Sequence, residues 1–410
     1  MSGPTIDLLM LDWTSHTVCR ACGSPELLQY LDLGEQAPAN ALRTNLIAEE
    51  FTAPLSVSWC PVCGLSQLDQ VVHPDRLFTN YPFRAGASRL WREHCRDLVA
   101  GLRTGNPGFL VDVGSNDGTL LEMCRDDSWH ILGIDPGGVH VDVPMVVDYW
   151  SDDLAHRVAT IHGKADVITA TNVFGHVDHA EDFLRGIATL LAPTGQAIIE
   201  CPHILPLLDT VAFDTIYHEH LSYWSLHPLE MLAQRVDLKV VSCRMFPDIH
   251  GGSMRYTLVP LHSPEKPDGS VGVVRLMEDA LRQRGFTAYT RFAQEAERKI
   301  QAFHDLISSE AANGKVIYGY GASAKGHVLL QAAQLRRREI AFVLDDTPEK
   351  QGLYTPGTGI PIMPILDLSE CDRLVLLSWN NAGDLKRKAY AQGFRGQYIV
   401  PSPDLHAEAA

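Results

Sequence analysis

The chain has no apolar run approaching the roughly 20 residues that a membrane span requires, and its start, MSGPTIDLLMLDW, has no basic segment ahead of the apolar one. A cytoplasmic protein without membrane contact is expected. Basic residues are scarce as well: 34 Lys and Arg stand against 50 Asp and Glu in 410 residues, a formal charge of -16. Such a balance repels polyanions, so nucleic acid is not an expected partner. Internal repeats and low-complexity tracts are missing. What is present is an ordinary soluble composition, 45% hydrophobic and 20% charged, in a chain long enough for two or three cores.

Cysteine is sparse but patterned. Of the nine, Cys19 and Cys22 form one CxxC pair and Cys60 and Cys63 another, while five stand alone. In a reducing compartment two such pairs read as a closed four-cysteine zinc site, with a structural rather than catalytic ion. A thioredoxin-like redox pair and four unrelated thiols are the alternatives. Gly23, Pro61 and Gly64 supply turn residues that suit knuckles around a metal.

The segment GFLVDVGSNDGTLLEMCRDDSWHILGIDPGG predicts a strand over 109–113, a turn from Gly114, and a helix from Thr119. Glycines at 114 and 118 let a ligand approach the backbone closely. A second strand, 130–134, ends at Asp135, where a doubly wound fold hydrogen-bonds a ribose. The spacing Gly114-x-Asn116-x-Gly118 lacks GxGxxG and resembles the S-adenosylmethionine turn of class I methyltransferases. A dinucleotide site and a ligand-free turn remain open on this motif alone. Further on, a strand over 166–170, a helix with Phe183, Ile187, Leu190 and Leu191 on one face, and a strand over 196–201 continue the alternation. That pattern implies an open, mostly parallel sheet with ligands beyond the carboxyl ends of its strands. Asn172, His176, Glu200 and His203 fall at such ends, and all four are expected to face one crevice with Gly114 and Asp135.

On the rim of that crevice lies DTIYHEHLSYWS, residues 214–225. His218-Glu219-His220 lacks the HExxH spacing that sets two imidazoles on one helical face, and histidines two apart align only in an extended segment. Metal binding and a polar loop are possible readings. Acid/base work is favoured by the density of ionisable groups beside a cofactor pocket.

The ordered set CRACG, LGEQAPANAL, CPVCG, VDVGSNDGTLL, ECPH, FDTIYHEHLSY, HGGSMR, YGASAKG, GLYTPGTGIPI and LLSWN, running from about residue 19 to about 400, resembles the zinc-containing sugar C-methyltransferases that act on nucleotide-linked 4-keto deoxysugars. The resemblance implies a zinc domain over 1–75, a class I methyltransferase domain over 76–262, and a Rossmann-like domain over 275–410. It implies S-adenosylmethionine as methyl donor, structural zinc on Cys19, Cys22, Cys60 and Cys63, and a nucleotide-sugar substrate. It also implies His220 as general base, with Tyr217 and Glu219 lining the sugar site and Asn172 and His176 beside them. Tyr217, His218 or Asn172 would donate to the developing enolate oxygen. Tyr81 would cover the cofactor, the turn at Gly114, Asn116 and Gly118 would hold it, and Asp135 would take its ribose. The same machinery acting on another carbon, oxygen or nitrogen acceptor is the alternative. Oligomeric state is not readable, and a monomer is compatible with the chain.

In the last third, a long amphipathic helix through Phe292, Ala296, Ile300, Phe303 and Ile307 leads to a strand over 316–318, a turn over 319–324, and a helix over 327–335. Gly319-x-Gly321-x-x-Ala324 meets a relaxed dinucleotide fingerprint, whereas the resemblance assigns this domain to the nucleotide-sugar, with Ser323 and Lys325 at a diphosphate. Residues 260–273 read as a linker, and Arg255 as a surface or scaffold residue. Two stretches depart from the family pattern, GIDPGGVHVDVP after the ribose acid and LLSWNN near the end.

Overall fold

The computed structural model describes residues 12–78, 86, 89–102, 108–126, 129–137, 142–365 and 367–410. Its central sheet has seven strands: β1 (Phe109–Val113), β2 (His130–Ile134), β3 (Met145–Val146), β4 (Ala165–Thr171), β5 (Leu191–Pro202), β6 (Leu238–Phe246) and β7 (Ser253–Pro260). They lie in the order β3-β2-β1-β4-β5-β7-β6. The first five are parallel, while β7 runs antiparallel between β5 and β6. This is the class I methyltransferase sheet. β1 is buried at every position, as a strand covered by helices on both faces must be. Strand order reverses between β1 and β4, so a crevice opens over their carboxyl ends.

The amino-terminal sheet is antiparallel: Leu28–Gln36, Ala53–Trp59 and Ser66–Leu68, followed by a fourth strand, Ser222–Tyr223, contributed from far along the chain. Ser222 pairs with Gln67 and Tyr223 with Ser66. The stretch singled out in the sequence is therefore part of the zinc domain's sheet. That sheet packs on the helix Phe286–Ala312, where Trp59 stacks on Phe286 at 6.0 Å and on Tyr289 at 5.2 Å. The helix buries Phe292, Ala296, Phe303 and Ile307 of the expected stripe, with Ile300 only partly buried, and adds Tyr289.

The carboxy-terminal sheet holds β8 (Ile317–Tyr320), β9 (Phe342–Leu344), β10 (Ile362–Met363), β11 (Arg373–Leu376), β12 (Gln397–Val400) and β13 (His406–Ala409), in the order β10-β9-β8-β11-β12-β13. All neighbours are parallel except the last pair. Its first turn sits later in β8 than expected, and its first helix, Ala324–Ala332, begins earlier, because Ser323 caps it. The expected linker is also shorter. The helix Gly269–Arg284 starts inside it, capped by Asp268, whose carboxylate accepts from Ser270 N at 2.8 Å. Among the described residues, no helix is long and apolar enough to cross a membrane.

Candidate active site

The sulfurs of Cys19, Cys22, Cys60 and Cys63 lie within 4.8 Å of one another, with Cys19 to Cys63 at 3.4 Å and Cys22 to Cys60 at 3.5 Å. Thiolates bound tetrahedrally to zinc at ~2.3 Å stand about 3.8 Å apart, so the set fits that ion. Each pair is a knuckle: Gly23 N donates to Cys19 O and Gly64 N to Cys60 O, both at 2.8 Å, with the glycines at φ 74° and 85°. A four-sulfur shell leaves no position for water or substrate, so this zinc is structural.

The cofactor turn after β1 has Gly114, Asn116 and Gly118 at φ 72°, 49° and 71°. A Cβ at Gly114 would stand 2.0 Å from Val173 Cγ2, so only glycine fits. The turn presents Asn116 N to Asp135 Oδ2 at 2.9 Å, and Gly137 N donates to Asp135 Oδ1 at 2.8 Å. Both carboxylate oxygens are thus oriented and keep acceptor capacity for a ribose diol. Tyr81 lies outside the described residues.

Across the crevice the segment around His220 is a turn, not an extended strand. Phe213–Thr215 is a short 3-10 helix, and His220 N donates to Tyr217 O at 2.8 Å. The two histidines therefore diverge. His220 Nδ1 donates to Thr215 O at 2.7 Å, which fixes the tautomer and leaves Nε2 with a lone pair. Its ring lies 3.9 Å from that of Tyr217 and 5.0 Å from that of His176, centroid to centroid. Burial, and then the neighbouring His176, pull the His220 pKa well below 6.5; burial also lowers His176 to about 4. Both rings are neutral at cellular pH. Asn172, four residues before His176 and at φ 57°, has a buried Oδ1 with no partner among the described residues.

His218 instead donates from Nε2 to Pro54 O at 3.2 Å, so it fastens the segment to the amino-terminal sheet. Glu219 is buried, its Oε1 accepting from Asn40 Nδ2 at 3.0 Å while Oε2 has no partner among the described residues. Burial raises its pKa to about 7. Asn40 lies within LGEQAPANAL, which the sequence reading quoted without assigning it a role.

Three expectations fail at this point. Glu200 does not face the crevice: it is fully buried, with Oε1 2.5 Å from His94 Nε2 and Oε2 accepting from Arg255 Nε at 2.7 Å. Arg255, expected at the surface or in the scaffold, is a scaffold residue: the buried ion-pair partner of Glu200. His203 caps the helix Ile204–Thr210, its Nδ1 accepting from Leu205 N at 3.2 Å, and its Nε2 meets the buried Glu278 at 3.0 Å. A polar residue at a strand end finds partners across an antiparallel neighbour or on a later helix, and local spacing does not reveal these. Ser323 is similarly engaged, since its hydroxyl donates to Leu377 O at 2.8 Å and accepts from Gly326 N at 3.1 Å. Lys325 does reach the crevice wall, 3.4 Å from where a Cβ on Gly251 would stand. Beside it His250 is exposed at φ 52° with its ring 5.5 Å from that of Trp91.

Comparison with known proteins bears on this geometry. Family profiles described as a zinc binding domain, a methyltransferase domain and a C-methyltransferase C-terminal domain match residues 19–78, 87–243 and 248–403. The C-methyltransferase NovU of Streptomyces niveus is 33% identical over 94% of this chain and 95% of its own. The chain belongs to the C-methyltransferase family. This methyltransferase takes its methyl group from S-adenosylmethionine, and its four-cysteine cluster is the zinc site of the family's first domain. Among solved structures, the 1,6-didemethyltoxoflavin-N1-methyltransferase of Burkholderia thailandensis is 16% identical, with 43% of this chain and 82% of that chain covered at a TM-score of 0.32. The PH0226 protein of Pyrococcus horikoshii is 13% identical, covering 46% and 98%, at 0.34. Similarity that low adds nothing to the strand order of the methyltransferase itself.

Proposed function

We propose that this methyltransferase adds a methyl group to C3 of a nucleotide-linked 4-keto deoxysugar, with thymidine diphosphate the expected carrier, in the cytoplasmic biosynthesis of branched deoxysugars such as those of antibiotics. The observation that carries the reading is the His220 ring, neutral, tautomerically fixed through Thr215, and open at Nε2 beside Tyr217 and His176.

A ketone at C4 acidifies the C3 hydrogen because the carbanion delocalises into an enolate. His220 Nε2 takes that proton, and a base already neutral at working pH is available in full for the task. Each pKa unit of depression weakens the base by about 1.4 kcal/mol, so the enolate oxygen needs a donor; Tyr217, whose ring lies 3.9 Å from that of His220, is the hydroxyl beside it, and the buried Glu219 frames the other side. Bound S-adenosylmethionine supplies an electrophilic sulfonium methyl. Neutral His176 and His220 do not repel that cation. Gly114, Asn116, Gly118 and Asp135 hold the cofactor. Lys325 and the amino-terminal amides of its helix suit the diphosphate, while the engaged Ser323 hydroxyl leaves them that role.

Incubation in deuterium oxide with thymidine-diphospho 4-keto sugars, followed by mass, tests the proposal. The protein should exchange C3 hydrogen with solvent and gain a methyl on adding S-adenosylmethionine, and His220→Asn should lose both by roughly 10²- to 10⁴-fold. Full methylation by the variant would remove His220 as base, and a protein that methylates no such sugar would remove the substrate class. The pH profile has a fixed sign. Because His220 titrates well below 6.5 in the free enzyme, kcat/KM should stay flat from pH 7 to below 6.5 and fall only in stronger acid; an acid limb centred at or above 6.5 would contradict the site.

A further inference from the structure

The zinc knuckle carries a residue that the family's metal chemistry does not explain. Arg20 sits between Cys19 and Cys22, and its side chain has no exposed surface. Its backbone N donates to Gln67 Oε1 at 2.8 Å, and Gln67 Nε2 donates to Val18 O at 3.0 Å, so the knuckle is tied to the strand Ser66–Leu68. The guanidinium bonds outside the cysteine cluster. Nε donates to Asp178 Oδ1 at 2.9 Å, and Nη1 donates to Leu68 O at 2.7 Å and to Leu221 O at 3.3 Å.

These acceptors are not scattered. Asp178 lies two residues after His176, and Leu221 directly follows His220. One planar group therefore holds the chain just beyond both imidazoles, which stand 5.0 Å apart. Asp178 is held from a second side by His16, whose Nδ1 is 3.3 Å away. Burying a guanidinium is costly; here Nε and Nη1 meet three fixed acceptors, while Nη2 has no partner among the described residues. Lysine cannot reproduce such a bridge, because its ammonium is a point charge without a fork.

We propose that Arg20 is a positioning residue that sets the His176–His220 spacing, and so couples the zinc knuckle to the two catalytic loops. The inference rests on the proposed role of His220 for its kinetic consequence and on geometry alone for its structural one. It acts through backbone carbonyls and Asp178, and touches no reacting atom.

Two variants test it in the full-length zinc-loaded protein. Arg20→Lys keeps the charge and loses the fork; Asp178→Ala frees the His176 loop from outside the knuckle. Both should retain one zinc per chain and bind S-adenosylmethionine within about two-fold of the parent. In both, kcat on the 4-keto sugar nucleotide should fall roughly 10- to 100-fold, as expected when reacting groups are displaced by about an ångström, with KM for the cofactor little changed. The imidazole resonances of His176 and His220, titrated by NMR without substrate, should move toward ordinary histidine values in both variants. Unchanged histidine titrations with unchanged kcat would overturn the proposal, as would loss of zinc from Arg20→Lys with Asp178→Ala behaving as the parent, which would make Arg20 a knuckle residue only. A parent protein that methylates no sugar nucleotide, combined with shifted titrations in the variants, would sink the substrate assignment and leave the positioning role standing.

Discussion

Two turns in this molecule leave a parallel strand, bind the acid at the end of the next strand, and enter a helix. At the first, Asp135 accepts from Asn116 N and Gly137 N; at the second, Asp345 accepts from Ala322 N at 2.7 Å and Thr347 N at 2.8 Å. Both need glycine against a neighbouring wall, for a Cβ would stand 2.0 Å from Val173 Cγ2 at Gly114 and 2.2 Å from Ser378 Oγ at Gly321. The contrast lies above the acid. Lys350 Nζ donates to Ala322 O at 2.8 Å and stands 3.7 Å from Asp345 Oδ2, so the second carboxylate is neutralised by its own chain. One backbone design thus yields, among the described residues, an acid held by two backbone amides and an acid held by two amides with a lysine beside it. The relaxed glycine fingerprint at 319–324 reports the fold, and a fold does not specify a ligand.

That contrast can be broken by matched substitutions. Gly114→Ala should have the largest effect, about 2 to 5 kcal/mol of stability from left-handed strain plus overpacking, together with loss of cofactor binding. Gly321→Ala should destabilise comparably in a thermal melt and leave S-adenosylmethionine affinity alone. If both variants lose affinity equally, the turns are not functionally distinct. Asp135→Ala comes next: losing charge-assisted hydrogen bonds of about 1.5 to 3 kcal/mol should weaken calorimetric S-adenosylmethionine binding roughly 10- to 150-fold. Asp345→Ala should leave that affinity within two-fold. Lys350→Met should do least, with about 1 kcal/mol or less of stability at a partly exposed pair. Should it instead create measurable binding of a nicotinamide dinucleotide, the lysine acts as a plug.

The geometry of the turn after β1 and of the acid after β2 was legible because it is local: glycine spacing and one strand length decide where Asp135 lands. So was the zinc site, where CxxC and a following glycine build each knuckle. The histidine segment was legible in composition and not in shape. An extended reading aligned His218 with His220, whereas the 3-10 turn ending at Thr215 separates them and sends His218 to Pro54 O. Glu200 and His203 were misread because their partners, His94 and Glu278, come from helices far away in the chain. Asn40 and Arg20 were in plain view inside quoted motifs. Only the folded contacts show what they hold.

The strand Ser222–Tyr223 has a consequence for anyone building chimaeras. It completes the zinc domain's sheet with residues that the ribosome delivers only after most of the methyltransferase unit has been made, so the edge at Ser66–Leu68 stays open in the nascent chain until then. A cut between the zinc-binding and methyltransferase profiles, after residue 78, would leave that edge bare and strip the segment through His218 and His220 of its support. The natural unit of exchange between related enzymes is therefore discontinuous, with the amino-terminal zinc domain and residues 214–225 travelling together.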